Sequence, residues 1–245
     1  MLRKLKQKPI ITILSSFAKD VIVNDEGRIL KTQNGGPAFF IKNVFEAEKV
    51  PHRLICGRKI EVEILLNNKG EARRLKKSPV CGKPGKVVTK NALLSTIANE
   101  WPFELRDYSG RIFIDVQGFV RDWRSFGKKK KILIFKNYAP FCVKATSEEL
   151  KYLPRRFIHD QKKRCLIITR GKKGSEIFYK NRAFHFHPRA VINSPHTIGA
   201  GDTFFASFVC EFIRTTDIKQ SGIYATENVL KFLRVLKKLT YHIFI

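Results

Sequence analysis

Pro195-His196-Thr197-Ile198-Gly199-Ala200-Gly201-Asp202-Thr203-Phe204 sets a glycine-rich turn, a carboxylate and the start of an apolar helix side by side. Gly199 and Gly201 can take backbone angles closed to other residues, so successive N–H groups can converge on an anion at a helix N-terminus. Asp202 then stands beside that anion, where a carboxylate can accept the proton of an attacking hydroxyl. Phe204, Phe205, Phe208, Val209, Phe212 and Ile213 recur at helical spacing and predict a helix that buries one face. Taken alone, Gly-Ala-Gly-Asp also fits a plain loop closed by a helix cap. Its neighbours have to decide between the two.

Working outward, 245 residues at 43% hydrophobic content suit one α/β domain with a sizeable core. No apolar run approaches the roughly 20 residues that span a bilayer. Met1 to Lys8 leads into a strand-like segment without a signal-peptide cleavage pattern, so a cytoplasmic protein with no membrane partner is expected. Cys56, Cys81, Cys142, Cys165 and Cys210 are odd in number and scattered, as expected of reduced, mostly buried thiols. A net charge of +27, from 48 basic and 21 acidic residues, attracts polyanions and makes nucleic acid a rival partner. The basic residues are dispersed, however, from Arg3–Lys8 to Lys231–Lys238, and no zinc finger, RNA-recognition signature or leucine zipper gathers them. Solvated basic faces account for most of them.

Apolar runs at 10–14, 112–116, 132–135 and 165–169 read as strands, most of them buried on both faces. Residues 20–23 read as a short continuation after Ser15-Ser16. Asn34-Gly35-Gly36-Pro37 punctuates the chain before a helix over 38–48 with Pro37 in its first turn. Residues 60–66 and 71–75 around Asn67-Asn68-Lys69-Gly70 read as a hairpin, a small lid. A closing hairpin follows at 177–179 and 183–186, and an amphipathic helix at 223–239. The sum is a doubly wound α/β layer structure. It forms a single domain over 1–245, with a reduced β lid from parts of 20–34 and 57–77.

Asp20, Gly35-Gly36-Pro37-Ala38, Thr169-Arg170-Gly171-Lys172-Lys173-Gly174 and Thr197-Ile198-Gly199-Ala200-Gly201-Asp202, in that order, resemble the motif series of the ribokinase-like, or PfkB-type, carbohydrate kinases. The resemblance implies a mostly parallel sheet flanked by helices and a phosphotransferase using ATP and Mg²⁺ on a hydroxyl of a small sugar, polyol or nucleoside. It makes Asp202 the catalytic base and the amides of Gly199, Ala200 and Gly201 the anion hole. Asp20 would bind acceptor hydroxyls, with Gly35 and Gly36 allowing close backbone approach. Asp115 and Arg121, in Asp115-Val116-Gln117-Gly118-Phe119-Val120-Arg121, resemble a segment that borders the acceptor pocket. Thr169, Gly171 and Gly174 would bind ATP. Glu149, with Glu148 as alternate, matches the outer-shell Mg²⁺ acid, although Thr146-Ser147-Glu148-Glu149 also reads as a helix cap followed by acids. A homodimer is compatible with all of this.

The pattern departs from that family at His196, where Asp is usual, which puts a potassium requirement in doubt. Ser15-Ser16 stands where glycine is common, and the segment 39–94 is short, leaving less lid. These losses keep open an altered acceptor, or a degenerate kinase fold that binds nucleic acid. His185 and His187 share a metal-compatible spacing, yet no acidic or cysteine partner is near in sequence. A P-loop motif is absent.

Overall fold

Five-residue apolar runs, too short for helices and bounded by polar residues, become strands wherever both their faces can be covered. The computed structural model describes residues 8–57, 59–67, 70–76, 87–100, 108–122, 128–132, 139–194 and 197–241. Its elements in order are β1 (Ile11–Ser15), β2 (Ala18–Val23), β3 (Ile29–Gly35), α1 (Pro37–Ala47), β4 (His52–Cys56), β5 (Ile60–Asn67), β6 (Gly70–Leu75), β7 (Asn91–Ser95) and β8 (Arg111–Asp115). Then come α2 (Gln117–Val120), β9 (Cys142–Thr146), α3 (Arg155–Lys163), β10 (Cys165–Thr169), β11 (Ser175–Tyr179), β12 (Arg182–Phe186), α4 (Ala200–Thr215) and α5 (Ile218–Tyr241).

Eight strands form one sheet in the order β12-β11-β10-β9-β8-β7-β1-β4, parallel from β10 to β4 and closed by the antiparallel β11 and β12. Side-chain alternation divides these strands between two cores. Ile11, Ile13, Leu93, Phe113, Cys165 and Ile167 pack with Ile41 and Phe45 of α1, with Phe205 and Phe208 of α4, and with Ile218 of α5. Leu14, Leu94, Ile112, Ile114, Val143 and Leu166 pack on the other side with Phe119 of α2 and with Phe157 of α3. Burial of each such side chain contributes about 1.5–3 kcal/mol. Among the described residues no helix is long and apolar enough to cross a membrane.

A second sheet, β3-β2-β5-β6, supplies the expected small lid. The stretch expected to continue β1 instead crosses into this sheet, where β2 pairs with β5 in parallel and with β3 antiparallel. Its inner face buries Ala18, Ile22, Ile60, Val62 and Ile64 against Phe40, Ile97 and Ile198.

Of the expected strand at 132–135 only Ile132 is among the described residues, and it lies outside any strand, its N–H donating to Tyr152 O at 3.0 Å. The neighbour of β8 is β9, whose run is broken by Lys144 and so is less apolar than 132–135. Asn91 and Ser95 in β7 and the polar edge strand β4 are strands that apolar runs alone do not show. The last helix begins earlier than expected because Asp217 Oδ1 accepts the Gln220 N–H at 3.0 Å, capping α5.

Candidate active site

The carboxyl ends of β1, β8, β9 and β10 lead into Asp20, Gln117, Glu149 and Gly171, the edge where open α/β sheets bind ligands. Two hollows meet there. The larger, of about 540 Å³, runs from Lys144, Thr146, Glu149 and Thr169 to the start of α4 and across to Val229, Leu230 and Leu233 of α5. The smaller, of about 30 Å³, lies between the lid and α4, walled by Asp20, Gly36, Phe40, Val62, Ile64 and Ile97. Gln117, Arg121, Gly199 and Asp202 line both.

The turn before α4 depends on glycine. Gly199 sits at φ 84°, ψ −8°, and a Cβ there would come within 2.3 Å of Phe40 Cε1. Both the left-handed backbone and the contact with α1 exclude a side chain. The Ala200 N–H donates to Thr197 O at 3.0 Å and closes the turn, and the first bond of the helix proper runs from Thr203 N–H to Gly199 O at 2.8 Å. Gly201 falls between these two bonds, in the first turn, where helix N–H groups point out of the helix end.

Asp202 is 9% exposed, and its Oδ1 accepts from Gln117 Nε2 at 2.9 Å. Gln117 Oε1 in turn accepts from Arg121 Nη2 at 3.3 Å, while Arg121 Nη1 donates to Ile97 O at 3.2 Å. A cation thus reaches the candidate base through one amide, and the lid-side loop at Ile97 is tied to the same chain. That loop is itself fixed by Glu100, whose carboxylate accepts the N–H groups of Ile97 and Ala98.

Asp115, expected at the acceptor pocket, lies beneath it, fully buried and lining neither hollow. Its Oδ2 accepts from Lys144 Nζ at 2.7 Å and its Oδ1 from Gln117 N–H at 3.0 Å. Burial pushes this carboxyl up to about 6, opposed by Lys144 and reinforced by Glu149 and Asp202. Burial pulls Lys144 towards neutrality, but Asp115, Glu149 and Asp202 outweigh it and hold the ammonium above its ordinary range.

Glu149 lines the larger hollow, yet its Oε2 accepts the Thr146 N–H at 2.8 Å while Thr146 Oγ1 accepts the Glu149 N–H at 3.1 Å. This is a reciprocal cap at the head of a 3₁₀ turn over Glu149–Tyr152. Among the described residues no cluster of three or more metal-ligating side chains occurs. Mg²⁺ takes one or two carboxylates and keeps several waters, so the residues fit an ion held near Glu149 through water and do not fit a direct cage.

Thr169, Gly171 and Gly174 all line the larger hollow, joined by Lys172. On the other side, Asp20 is 3% exposed, and a Cβ on Gly35 would stand 1.8 Å from its Oδ2, so the glycine makes room for the carboxylate. His196 lies outside the described residues. His185 and His187 are exposed, with His185 Nε2 3.8 Å from Glu176 Oε1. Sequence reasoning missed Gln117, Lys144 and the apolar wall formed by Pro188, Ala190, Val191, Val229, Leu230 and Leu233. A lysine interrupting an apolar run was the available signal for the second of these.

Residues 141–227 match the model of the pfkB family of carbohydrate kinases. The match stops short of half the chain. The matched segment takes in β9, β10, the turn at Gly199–Asp202, all of α4 and the first part of α5. A Mycoplasma genitalium protein named "Putative 1-phosphofructokinase" is 26% identical over 156 residues, 58% of this chain and 50% of that protein. The chain thus spans about half the length of that relative. Among solved structures, a pyrophosphate-dependent kinase in the ribokinase family, seen as a sulfate complex, aligns with TM-score 0.71 at 17% identity, covering 91% of this chain and 95% of that one. Thermotoga maritima ribokinase aligns with TM-score 0.62 at 14% identity over 91% and 92%. Methanocaldococcus jannaschii nucleoside kinase aligns with TM-score 0.61 at 13% identity over 89% of each chain. At these identities the likeness is one of fold, and the fold of this chain is ribokinase-like.

Proposed function

We propose that the chain is an ATP- and Mg²⁺-dependent phosphotransferase that phosphorylates a hydroxyl of a small sugar, polyol or nucleoside. The observation that carries this reading is the place of Asp202, whose carboxylate borders the larger and the smaller hollow at once. A donor in the larger hollow and an acceptor in the smaller one would meet there, where Gln117, Arg121 and Gly199 also line both. Asp202 then takes the acceptor's proton as its oxygen attacks, which is worth about 10²–10⁴-fold in rate. The Gly199 turn and the first amides of α4 hold the transferred phosphoryl group.

Asp20, buried at the back of the smaller hollow, binds acceptor hydroxyls. The Arg121–Gln117 chain fixes the rotamer of Asp202. The apolar wall from Pro188 to Leu233 suits the flat face of a nucleobase, which supports ATP as donor. Mg²⁺, held through water at Glu149, would neutralise charge on the donor phosphates.

The test is acceptor-dependent release of ADP from ATP and Mg²⁺ across a panel of sugars, polyols and nucleosides. A parallel arm uses pyrophosphate and reads phosphate release. Release with one acceptor class that vanishes in a folded Asp202→Asn variant is the expected result. Near-normal turnover in that variant would sink the assignment. Steeply salt-dependent nucleic-acid binding, indifferent to Asp202, with no transfer to any acceptor would favour the degenerate-fold alternative.

A further inference from the structure

The end of the large sheet away from the two hollows carries a concentration of cations. Lys162 and Lys163 close α3, Arg164 follows them, and the tight hairpin between β11 and β12 sets Lys180 and Arg182 alongside. The Asn181 N–H donates to Lys162 O at 3.2 Å, and Arg164 and Lys180 flank the register pair Cys165 and Tyr179, so the helix end and the turn form one surface. Within 155–164 and 180–182 the sole carboxylate is Asp160, which Arg156 and Lys163 already share at 4.0 and 3.8 Å. Lys162, Arg164, Lys180 and Arg182 have no carboxylate of their own in these segments.

The negative end of the helix dipole accounts for Lys162 and Lys163 in the last turn of α3. It does not account for Lys180, which holds φ 50° in a two-residue left-handed turn that asparagine or glycine fills with less strain. Nor does it account for like charges held side by side at the end of a strand pair, where they repel. The charges are also positioned before anything binds. Lys162 Nζ lies 4.2 Å from the centre of the Phe178 ring and Lys180 Nζ 5.3 Å from that of Tyr179, while Arg164 Nη1 donates to Ala139 O at 2.8 Å.

We propose that this surface binds the phosphate backbone of double-stranded nucleic acid, as a function separate from phosphoryl transfer. The cations run along α3, about 13 Å long, and on to the turn, a length that covers about four base-pair rises. No large apolar side chain is exposed anywhere in 155–182, so the surface has nothing to insert into a membrane interface and no apolar anchor for a protein partner. What it offers is charge, the currency of backbone contacts. The length of β10, about 13–16 Å, separates it from Thr169 at the larger hollow, so binding here leaves the hollows free.

Fluorescence anisotropy of the full chain with a labelled DNA duplex of mixed sequence, and with the matching RNA duplex, from about 50 to about 200 mM salt tests this. Lys163→Gln/Arg164→Gln/Lys180→Gln/Arg182→Gln should weaken binding by about tenfold or more and flatten the plot of log affinity against log salt by about one for each side chain removed. Lys180→Gln/Arg182→Gln, confined to an exposed turn, serves if the fuller variant does not fold and should show half the change in slope. A charge-matched variant on α5, Lys219→Gln/Lys231→Gln/Arg234→Gln/Lys238→Gln, should lose far less. Equal losses in the two would mean that the overall charge of +27 is what binds, and would overturn the proposal. So would a wild type that binds neither duplex, or one that binds phosphatidylserine vesicles through these residues and no duplex.

Asp202→Asn should bind the duplex as the wild type does, and acceptor-dependent turnover should be the same in the wild type and in both charge variants. Duplex that competes with the donor for the enzyme would place its binding at the larger hollow and overturn the proposal. The phosphotransferase reading stands or falls on transfer alone, so the two fail separately.

Discussion

The two hollows that meet at Asp202 are built by different means. The larger is made mostly of backbone turns and strand ends within 144–233, a stretch that largely coincides with the PfkB match at 141–227. Its defining parts are local: a glycine turn, a helix start, a short segment after a strand. The smaller is made of side chains brought from the lid, from α1, from the Ile97 loop and from α2, segments far apart in sequence. Phosphate chemistry is uniform and can be served by amides and fixed charges, whereas an acceptor is recognised by shape. The family match accordingly falls on the larger hollow, while the smaller is walled mostly by residues before position 141.

Asp202 belongs to both sides, so its loss should be the largest effect. Asp202→Asn keeps the hydrogen-bonding outline towards Gln117 and should cut kcat by about 10²–10⁴-fold with donor and acceptor KM little changed, read by steady-state kinetics. A KM change confined to one substrate would instead place Asp202 on one side only. Gly199→Ala should come next. A side chain there meets Phe40 and must hold a left-handed backbone, a loss of roughly 1–3 kcal/mol. Lower melting temperature together with weakened pyrophosphate binding is expected; weaker binding without destabilisation would mean that the turn relaxes independently of α1.

The same difference explains how much of the molecule could be read from its sequence. The turn at Gly199–Asp202, the helix behind it and the glycines at 171 and 174 declare themselves because each is a short run of consecutive residues with one backbone solution. The sheet is legible where strands are purely apolar, as at 165–169, and is not at β9 and β7, where Lys144 interrupts the run and Asn91 and Ser95 shorten it for reasons that lie in their partners. Lys144 needs Asp115, and Asn91 donates to Ile10 O at 3.0 Å and accepts from Arg111 Nε at 3.0 Å. Asp115 was placed at the right strand end but at the wrong depth. Whether a strand-end carboxylate faces a cavity or a buried lysine depends on the neighbouring strand's register, which no local pattern carries.

A smaller effect should separate the two sides cleanly. Val62 lines the smaller hollow and not the larger. Val62→Ala is expected to raise the acceptor KM about tenfold, the scale of one or two methyl groups in a pocket, and to leave the donor KM within about twofold. Equal changes in both constants would mean that the lid and the donor side close as one unit.

The donor side should also show itself through pH, without substrate. Asp115 is held near 6 in the native chain against an ordinary 3.8. Between these values the native state keeps a proton that the unfolded chain has released, so stability falls as pH rises through that window. Below about 4 both states hold the proton and above about 6 both have lost it, and the contribution is level on either side. Lys144, held above its ordinary range, stays charged throughout and adds no slope to the wild type. The free energy of unfolding of wild type minus that of Asp115→Asn should therefore decline between pH 4 and 6 by on the order of 1–3 kcal/mol and then flatten. A difference that stays flat across the window would mean that water reaches the Asp115–Lys144 pair. The buried pair beneath the larger hollow would then be as adaptable as the side-chain wall of the smaller one, and the contrast between the two hollows would fail.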